Sequence, residues 1–143
     1  MSRASTLFML LTLCEALFGD RQGLLRTIFD CPLPRWATWT TNTPVPMAVY
    51  AKNDIVSHSL LNYGSWESYL HSKFRRGALM IDIGANIGYH SIMAAHHGMF
   101  VLAIEPMATN RRLLSATLCR NKELARRIKV VSSAIDLYRA SCR

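Results

Sequence analysis

The residues with the clearest chemical potential lie around one short turn. The segment from Leu79 to Gly88 reads LMIDIGANIG, an apolar stretch with Asp82 near its end, followed by a turn between Gly84 and Gly88. Glycine lets the backbone approach a ligand closely and adopt positive φ. A helix that begins at such a turn offers free amide N–H groups. The segment is therefore typical of a nucleotide-binding turn.

A second carboxylate stands at a matching place downstream. Glu105 ends the next predicted strand, 21 residues after Gly84. A carboxylate about 20 residues beyond a glycine turn is placed to accept hydrogen bonds from ribose hydroxyls. Within the turn, Asn86 holds a position where many nucleotide folds carry glycine, and Asn tolerates the left-handed conformation.

The charge around the turn distinguishes between two cofactor classes. The glycine spacing is G-x-x-x-G rather than the G-x-G-x-x-G of dinucleotide pyrophosphate binders. Asp82, directly before the turn, would repel a pyrophosphate, whereas it suits the cationic amino or sulfonium end of S-adenosylmethionine. The residues therefore favour S-adenosylmethionine.

The elements around these residues alternate between strand and helix. Apolar runs predict buried parallel strands, and apolar residues on one face together with the closing Gly98 predict the helices. The predicted order is strand 78–83, helix 87–97, strand 100–104, helix 107–124 and strand 128–132. This β-α-β-α-β order predicts an α/β fold, half of a doubly wound parallel sheet.

The upstream part of the chain is predicted to be less regular. Residues 6–18 read as a packing helix with weak signal-peptide or anchor character, and 20–46 as a proline- and tryptophan-rich linker. Residues 47–50 read as a strand, 54–57 as a strand or a helix start, and 66–74 as a helix capped by Ser65. We therefore divide the chain into 1–46 and a domain at 47–143. No segment reaches the ~20 apolar residues of a membrane span, and a cytoplasmic location is favoured.

Charge is distributed unevenly. Residues 1–71 carry five basic and five acidic side chains, whereas residues 72–143 carry twelve and four, which accounts for the whole net charge of +8. Seven basic residues cluster on and after the second predicted helix, at positions 111, 112, 120, 122, 126, 127 and 129. The cluster is compatible with a solvated helix flank or, as the alternative, with an RNA-binding or acidic-partner surface.

The four cysteines are scattered rather than paired. Cys14, Cys31, Cys119 and Cys142 form no C-x-x-C motif, so the sequence predicts no cysteine zinc site. We expect thiols in a reducing compartment, with a disulfide framework as the alternative. Adjacent His96 and His97 diverge on a helix and do not predict a shared metal site.

The segment IDIGANIGYHS at 81–91, with AIEP at 103–106, resembles the FkbM-type group of S-adenosylmethionine-dependent methyltransferases. The resemblance covers about residues 47–135. It implies a class I methyltransferase fold and O-methyl transfer to a small molecule or sugar. It implies cofactor contacts at Asp82, Gly84, Ala85, Asn86, Gly88 and Glu105, with Asp82 near the methionine part, Glu105 on the ribose, and an adenine-side contact around 133–136. No catalytic base is indicated.

The same resemblance predicts that the sheet is incomplete. Family members continue through a fourth strand that carries much of the substrate site, whereas this chain ends 55 residues after Gly88. The first parallel strand would then have an open apolar edge, which a dimer or another partner could cover. The alternative to a working enzyme is therefore a truncated, non-catalytic fragment that acts by association.

Overall fold

The computed structural model describes residues 31–134. The predicted helix at 6–18 and the candidate adenine-side residues Ile135 and Asp136 lie outside this range. Within it, the chain has α/β architecture, with a two-stranded antiparallel hairpin and a three-stranded parallel sheet. No helix among these residues combines the length and apolar character needed to cross a bilayer.

The hairpin corrects the linker prediction in part. β1 (Ala37–Thr40) pairs antiparallel with β2 (Met47–Tyr50), with Thr40 opposite Met47 and Ala37 opposite Tyr50. The second strand was predicted and the first was not. The prolines at 32, 34, 44 and 46 lie outside both strands, so the proline-free stretch between them keeps the backbone donors that pairing requires.

Two short helical segments follow the hairpin. α1 (Ile55–Tyr63) resolves the open choice at 54–57 in favour of a helix, because Asp54 Oδ2 accepts the Ser57 N–H at 2.7 Å. The predicted helix at 66–74 is instead a 3-10 helix, Ser68–Lys73. Glu67, the residue before this helix, has a left-handed backbone (φ 44°), and its side chain makes no capping hydrogen bond. The predicted cap at Ser65 is therefore absent from this part of the chain, and the segment does not begin as a regular α-helix.

The three predicted parallel strands are present. β3 (Leu79–Ile83), β4 (Phe100–Ile104) and β5 (Ile128–Val131) form one sheet in the order β3-β4-β5. Ile83 lies opposite Ile104, and Ile104 lies opposite Val131. The carboxyl ends of the strands therefore meet along one edge of the sheet, which brings the Gly84 turn next to Glu105.

The connecting helices pack on different strands. α2 (Tyr89–His96) contacts all three strands, and α3 (Ala108–Arg120) packs on β2 of the hairpin. The core between them consists of fully buried apolar side chains, the largest being Met47, Leu60, Ile87, Ile92, Met93, Leu113 and Leu114. Gly98 is left-handed (φ 88°) just beyond α2, as the predicted helix end requires.

The predicted helix at 107–124 is interrupted. α3 ends at Arg120 and a short α4 (Lys122–Ala125) follows, with Asn121 between them at φ −118°, ψ 67°. Asn121 Nδ2 donates to Thr117 O at 2.7 Å and to Pro46 O at 3.1 Å. Asn side chains compete with helical backbone bonding in this way, and here the break ties the helix to the hairpin loop.

The opposite face of the sheet is open at β3. In a strand, alternate side chains lie on the same face, and the exposed fractions of Ile81 and Ile83 are 57% and 64%. Among the described residues, β3 has β4 as its hydrogen-bonded neighbour and no strand at its other edge. The predicted open apolar edge is therefore present in this part of the chain.

Candidate functional site

The turn between Gly84 and Gly88 has three left-handed residues. Gly84, Asn86 and Gly88 have φ of 76°, 53° and 87°. Asn86 adopts the conformation expected from its residue type. The turn therefore has the backbone shape that the sequence predicts.

The two glycines serve the turn differently. A Cβ at Gly84 would meet nothing within 4 Å, so space is open beside it. A Cβ at Gly88 would overlap Leu114 Cδ1, and Leu114 is fully buried. Gly84 thus leaves room beside the backbone, whereas Gly88 permits α3 to pack on the start of α2.

Glu105 connects the turn to the end of β4. Its Oε2 accepts the Asn86 N–H at 2.8 Å and its Oε1 accepts the Met107 N–H at 2.7 Å. The residue is 4% exposed. An ionised carboxylate has about four acceptor positions, so capacity remains on both oxygens. Glu105 therefore links two loops through its hydrogen bonds and is also a candidate ligand contact.

Asp82 is placed at the end of β3. Its Oδ2 accepts the Ser91 hydroxyl at 2.6 Å, and Ser91 is fully buried in α2. Asp82 itself is half-buried, and within residues 31–134 its Oδ1 has no hydrogen-bond donor. The structure thus places two carboxylates on neighbouring strand ends, one on each side of the glycine turn.

The amide groups of the turn are mostly engaged. Gly84 N–H and Ala85 N–H donate to Ile104 O at 2.9 and 3.0 Å, and Gly88 N–H donates to Ala85 O at 2.8 Å. Asn86 N–H is held by Glu105. A phosphate-binding loop directs such N–H groups at its ligand, whereas these four are already bonded within the fold.

A cluster of histidines that the sequence did not predict lies next to the Gly84–Gly88 turn. His71 lies in the 3-10 segment, with its ring centroid 6.3 Å from that of His90 and 5.8 Å from that of His97. His71 Nε2 and both ring nitrogens of His90 are buried and have no hydrogen-bond partner within residues 31–134, although His90 Nε2 lies 3.5 Å from Glu67 Oε2. From the sequence alone His71, which has no partner near it in the chain, is expected to be a satisfied surface histidine, and its buried Nε2 shows that this expectation is wrong. No spacing in the sequence reveals the cluster, since it joins separate elements.

Burial and like charge lower the pKa of His71. Burial is the larger cause, and the neighbouring His97 and His90 add repulsion in the charged form. Burial also raises the pKa of Tyr89, which is 3% exposed. Tyr89 is therefore a core residue. No group of three or more His, Cys, Asp or Glu side chains within residues 31–134 is arranged to hold a metal ion.

The basic cluster is partly used inside the fold. Arg111 donates to Glu105 O and to Pro106 O, and Arg127 donates to Gly98 O at 3.3 Å. Arg120 lies over the ring of Trp39 at 4.7 Å, and Arg126 pairs with Glu123. These contacts support the reading as a helix flank, because several cations that RNA would require already have partners.

The cysteine prediction needs correction. Cys31 and Cys119 are each disulfide-bonded in the structure, so they are not the thiols expected from scattered spacing. Sequence spacing does not reveal which cysteines meet in space. Cys14 and Cys142 lie outside the described residues.

Comparison of the chain with protein-family models gives no matching family, and comparison with curated proteins gives no significant match.

Proposed function

We propose that this domain binds S-adenosylmethionine at the carboxyl ends of β3 and β4 and belongs to the methyltransferase type of α/β domain. The observation that carries the proposal is the pair of carboxylates, Asp82 and Glu105, on the two strand ends that flank the Gly84–Gly88 turn. The parallel order β3-β4-β5 is compatible with one half of a Rossmann-like sheet.

The donor set fits this cofactor better than a dinucleotide. Asp82 offers negative charge to an amino or sulfonium group, and Glu105 retains acceptor capacity for ribose hydroxyls. The engaged N–H groups of Gly84, Ala85 and Asn86 offer little to a phosphate. Open space at Gly84 leaves room for close approach of a ligand.

The proposed reaction is O-methyl transfer to a small molecule or sugar. When bound, the cofactor supplies a methyl group on a sulfonium sulfur. The residues named here hold and orient the cofactor. In favourable cases, the positioning of two reactants lowers the activation barrier by roughly 7–11 kcal/mol. We assign no catalytic base.

Calorimetric titration with S-adenosylhomocysteine tests the proposal. We expect saturable one-to-one binding by the intact chain and at least tenfold weaker binding by Asp82→Asn. That variant keeps an acceptor for the Ser91 hydroxyl and removes the charge. The matched control is Asp54→Asn, because Asn caps a helix as well as Asp does. A folded chain that does not bind, or an Asp82→Asn variant that binds equally well, would contradict the proposal.

A second candidate function is association through β3. Ile81 and Ile83 expose large apolar surface on a strand with an open edge, and such edges pair with other chains. Sedimentation should then give a dimer that Ile81→Lys converts to a monomer. The control is Ile55→Lys, at an isoleucine on α1 that is 71% exposed. A concentration-independent monomer at high micromolar concentration would exclude this function.

A further inference from the structure

A pocket of about 370 Å³ lies at the end of the hairpin, away from the glycine turn in sequence. It is lined by Arg35, Trp36, Tyr50, Ala51, Lys52 and Asn53. Its described lining combines two aromatic rings with two cationic side chains and includes no carboxylate. Nothing in the proposed cofactor site uses these residues.

The aromatic wall is rigidly built. The rings of Trp36 and Tyr50 stack with centroids 5.2 Å apart and planes 25° apart. The Ala51 N–H donates to Trp36 O at 3.2 Å, which extends the strand pairing. Tyr50 O–H donates to Asn110 Oδ1 at 2.8 Å, and its N–H donates to Ser57 Oγ at 3.0 Å. Trp36 is 38% exposed, so part of a fixed indole is open to a ligand.

The described part of the chain offers the cations of the pocket no acidic partner. Arg35 and Lys52 are exposed, and neither forms a salt bridge with residues 31–134. Asp54, the carboxylate closest in sequence to Lys52, is engaged in capping α1. Two uncompensated cations beside an aromatic wall attract an anion that also carries a flat or apolar ring face.

The pocket lies toward the sheet edge that carries the candidate cofactor site. Ala48 N–H donates to Thr117 Oγ1 in the third turn of α3, whereas Tyr50 reaches Asn110 in its first turn. β2 therefore runs toward the start of α3, which follows Glu105. The pocket is connected to Glu105 through Asn110 and Met107, whose N–H is held by Glu105.

We propose that this pocket is a binding site for a small ring compound carrying a phosphate or carboxylate group. The ring lies on Trp36, and Arg35 and Lys52 bind the anion. This site is separate from the cofactor site, so a failure of S-adenosylhomocysteine to bind would not affect it.

Titration of the full chain with phenyl phosphate and with glucose 6-phosphate tests the proposal. Binding is measured by calorimetry and by the indole N–H signals in NMR spectra. We expect at least one of the two to bind saturably and to shift the Trp36 signal more than those of Trp39 and Trp66. Phenol and inorganic phosphate, which each supply one feature only, should bind at least tenfold more weakly. No binding of either ring anion, or equal binding of phosphate alone, would overturn the proposal.

Variants distinguish binding in the pocket from nonspecific attraction of an anion to a basic protein. Lys52→Gln should weaken binding at least fivefold because it removes a cation that binds the anion, and the fold should persist because Lys52 forms no side-chain hydrogen bond or salt bridge within residues 31–134. The matched control Lys129→Gln removes an exposed lysine from β5 and should leave binding unchanged. Trp36→Phe keeps a ring against Tyr50 and should weaken binding less than Trp36→Leu. Equal effects of Lys52→Gln and Lys129→Gln would contradict a localised site.

Discussion

Glu105 and Asn86, 19 positions apart, are joined by a 2.8 Å hydrogen bond from the Asn86 N–H to Glu105 Oε2. The bond crosses from the turn after β3 to the end of β4. It satisfies the amide of a residue held in the left-handed region, with φ of 53°. The conformation of Asn86 is thus fixed both by residue type and by a buried carboxylate.

Substitution of Asn86 tests the cost of that conformation. Asn86→Ala should destabilise the chain by about 1 kcal/mol, because alanine lacks the tolerance of Asn for positive φ. Asn86→Gly should be nearly neutral, since glycine accepts this conformation freely. Urea unfolding of the three chains measures the difference. Equal stability of the Ala and Gly variants would show that backbone conformation at 86 is not the limiting factor.

The two turn glycines should respond unequally to alanine. Gly88→Ala combines a φ of 87° with overlap on buried Leu114, and we expect a loss of about 3 kcal/mol in unfolding free energy. Gly84→Ala meets open space and should lose only about 1 kcal/mol from its positive φ. Denaturant unfolding checks both values. A Gly84→Ala chain less stable than Gly88→Ala would contradict the assignment of Gly88 to helix packing.

The sequence predicts the parallel unit well because its signals are local. Apolar runs specify β3, β4 and β5, and Gly98 marks the end of α2 in the structure as in the sequence. β1 was missed because prolines nearby suggested a linker, and pairing with β2 is a tertiary contact that no local pattern encodes. The break at Asn121 also depends on a distant partner, Pro46 O.

The same distinction between local signals and tertiary contacts applies to the candidate site. Asp82 and Glu105 could be placed from strand ends alone, since parallel strands align their carboxyl ends. The bond from the Asn86 N–H to Glu105, the histidine cluster and the Trp36 pocket each join separate elements, so their geometry required the fold. The proposed cofactor remains a prediction from residue chemistry and resemblance.

His71 should make stability depend on pH in a defined window. Its pKa in the folded chain is below 6.5, the ordinary value, because of burial and of His97 and His90. The unfolded chain therefore binds more protons just below pH 6.5, and stability should fall as pH drops from 6.5 toward the folded pKa. Urea unfolding between pH 7.5 and 5.0 measures this.

Two variants isolate the contribution of His71. His71→Phe removes the titrating group and keeps a ring against Phe74, so the slope of stability against pH should decrease in this window. His58→Gln, at an exposed histidine on α1, should keep the slope of the parent chain. If the slope is unchanged in His71→Phe, the pH dependence arises from a group other than His71.

The bond between Tyr50 and Asn110 should contribute to stability without being required for folding. Tyr50→Phe removes only the hydroxyl that donates to Asn110 Oδ1 at 2.8 Å and leaves the ring stacked on Trp36. Asn110 is 7% exposed, so its oxygen loses a partner in a largely buried place. We expect a loss of about 1 kcal/mol in unfolding free energy. Tyr63→Phe, at a 75% exposed tyrosine on α1, is the control and should change stability little. If both variants lost the same free energy, the Tyr50–Asn110 bond would not be what stabilises the packing of the hairpin on α3.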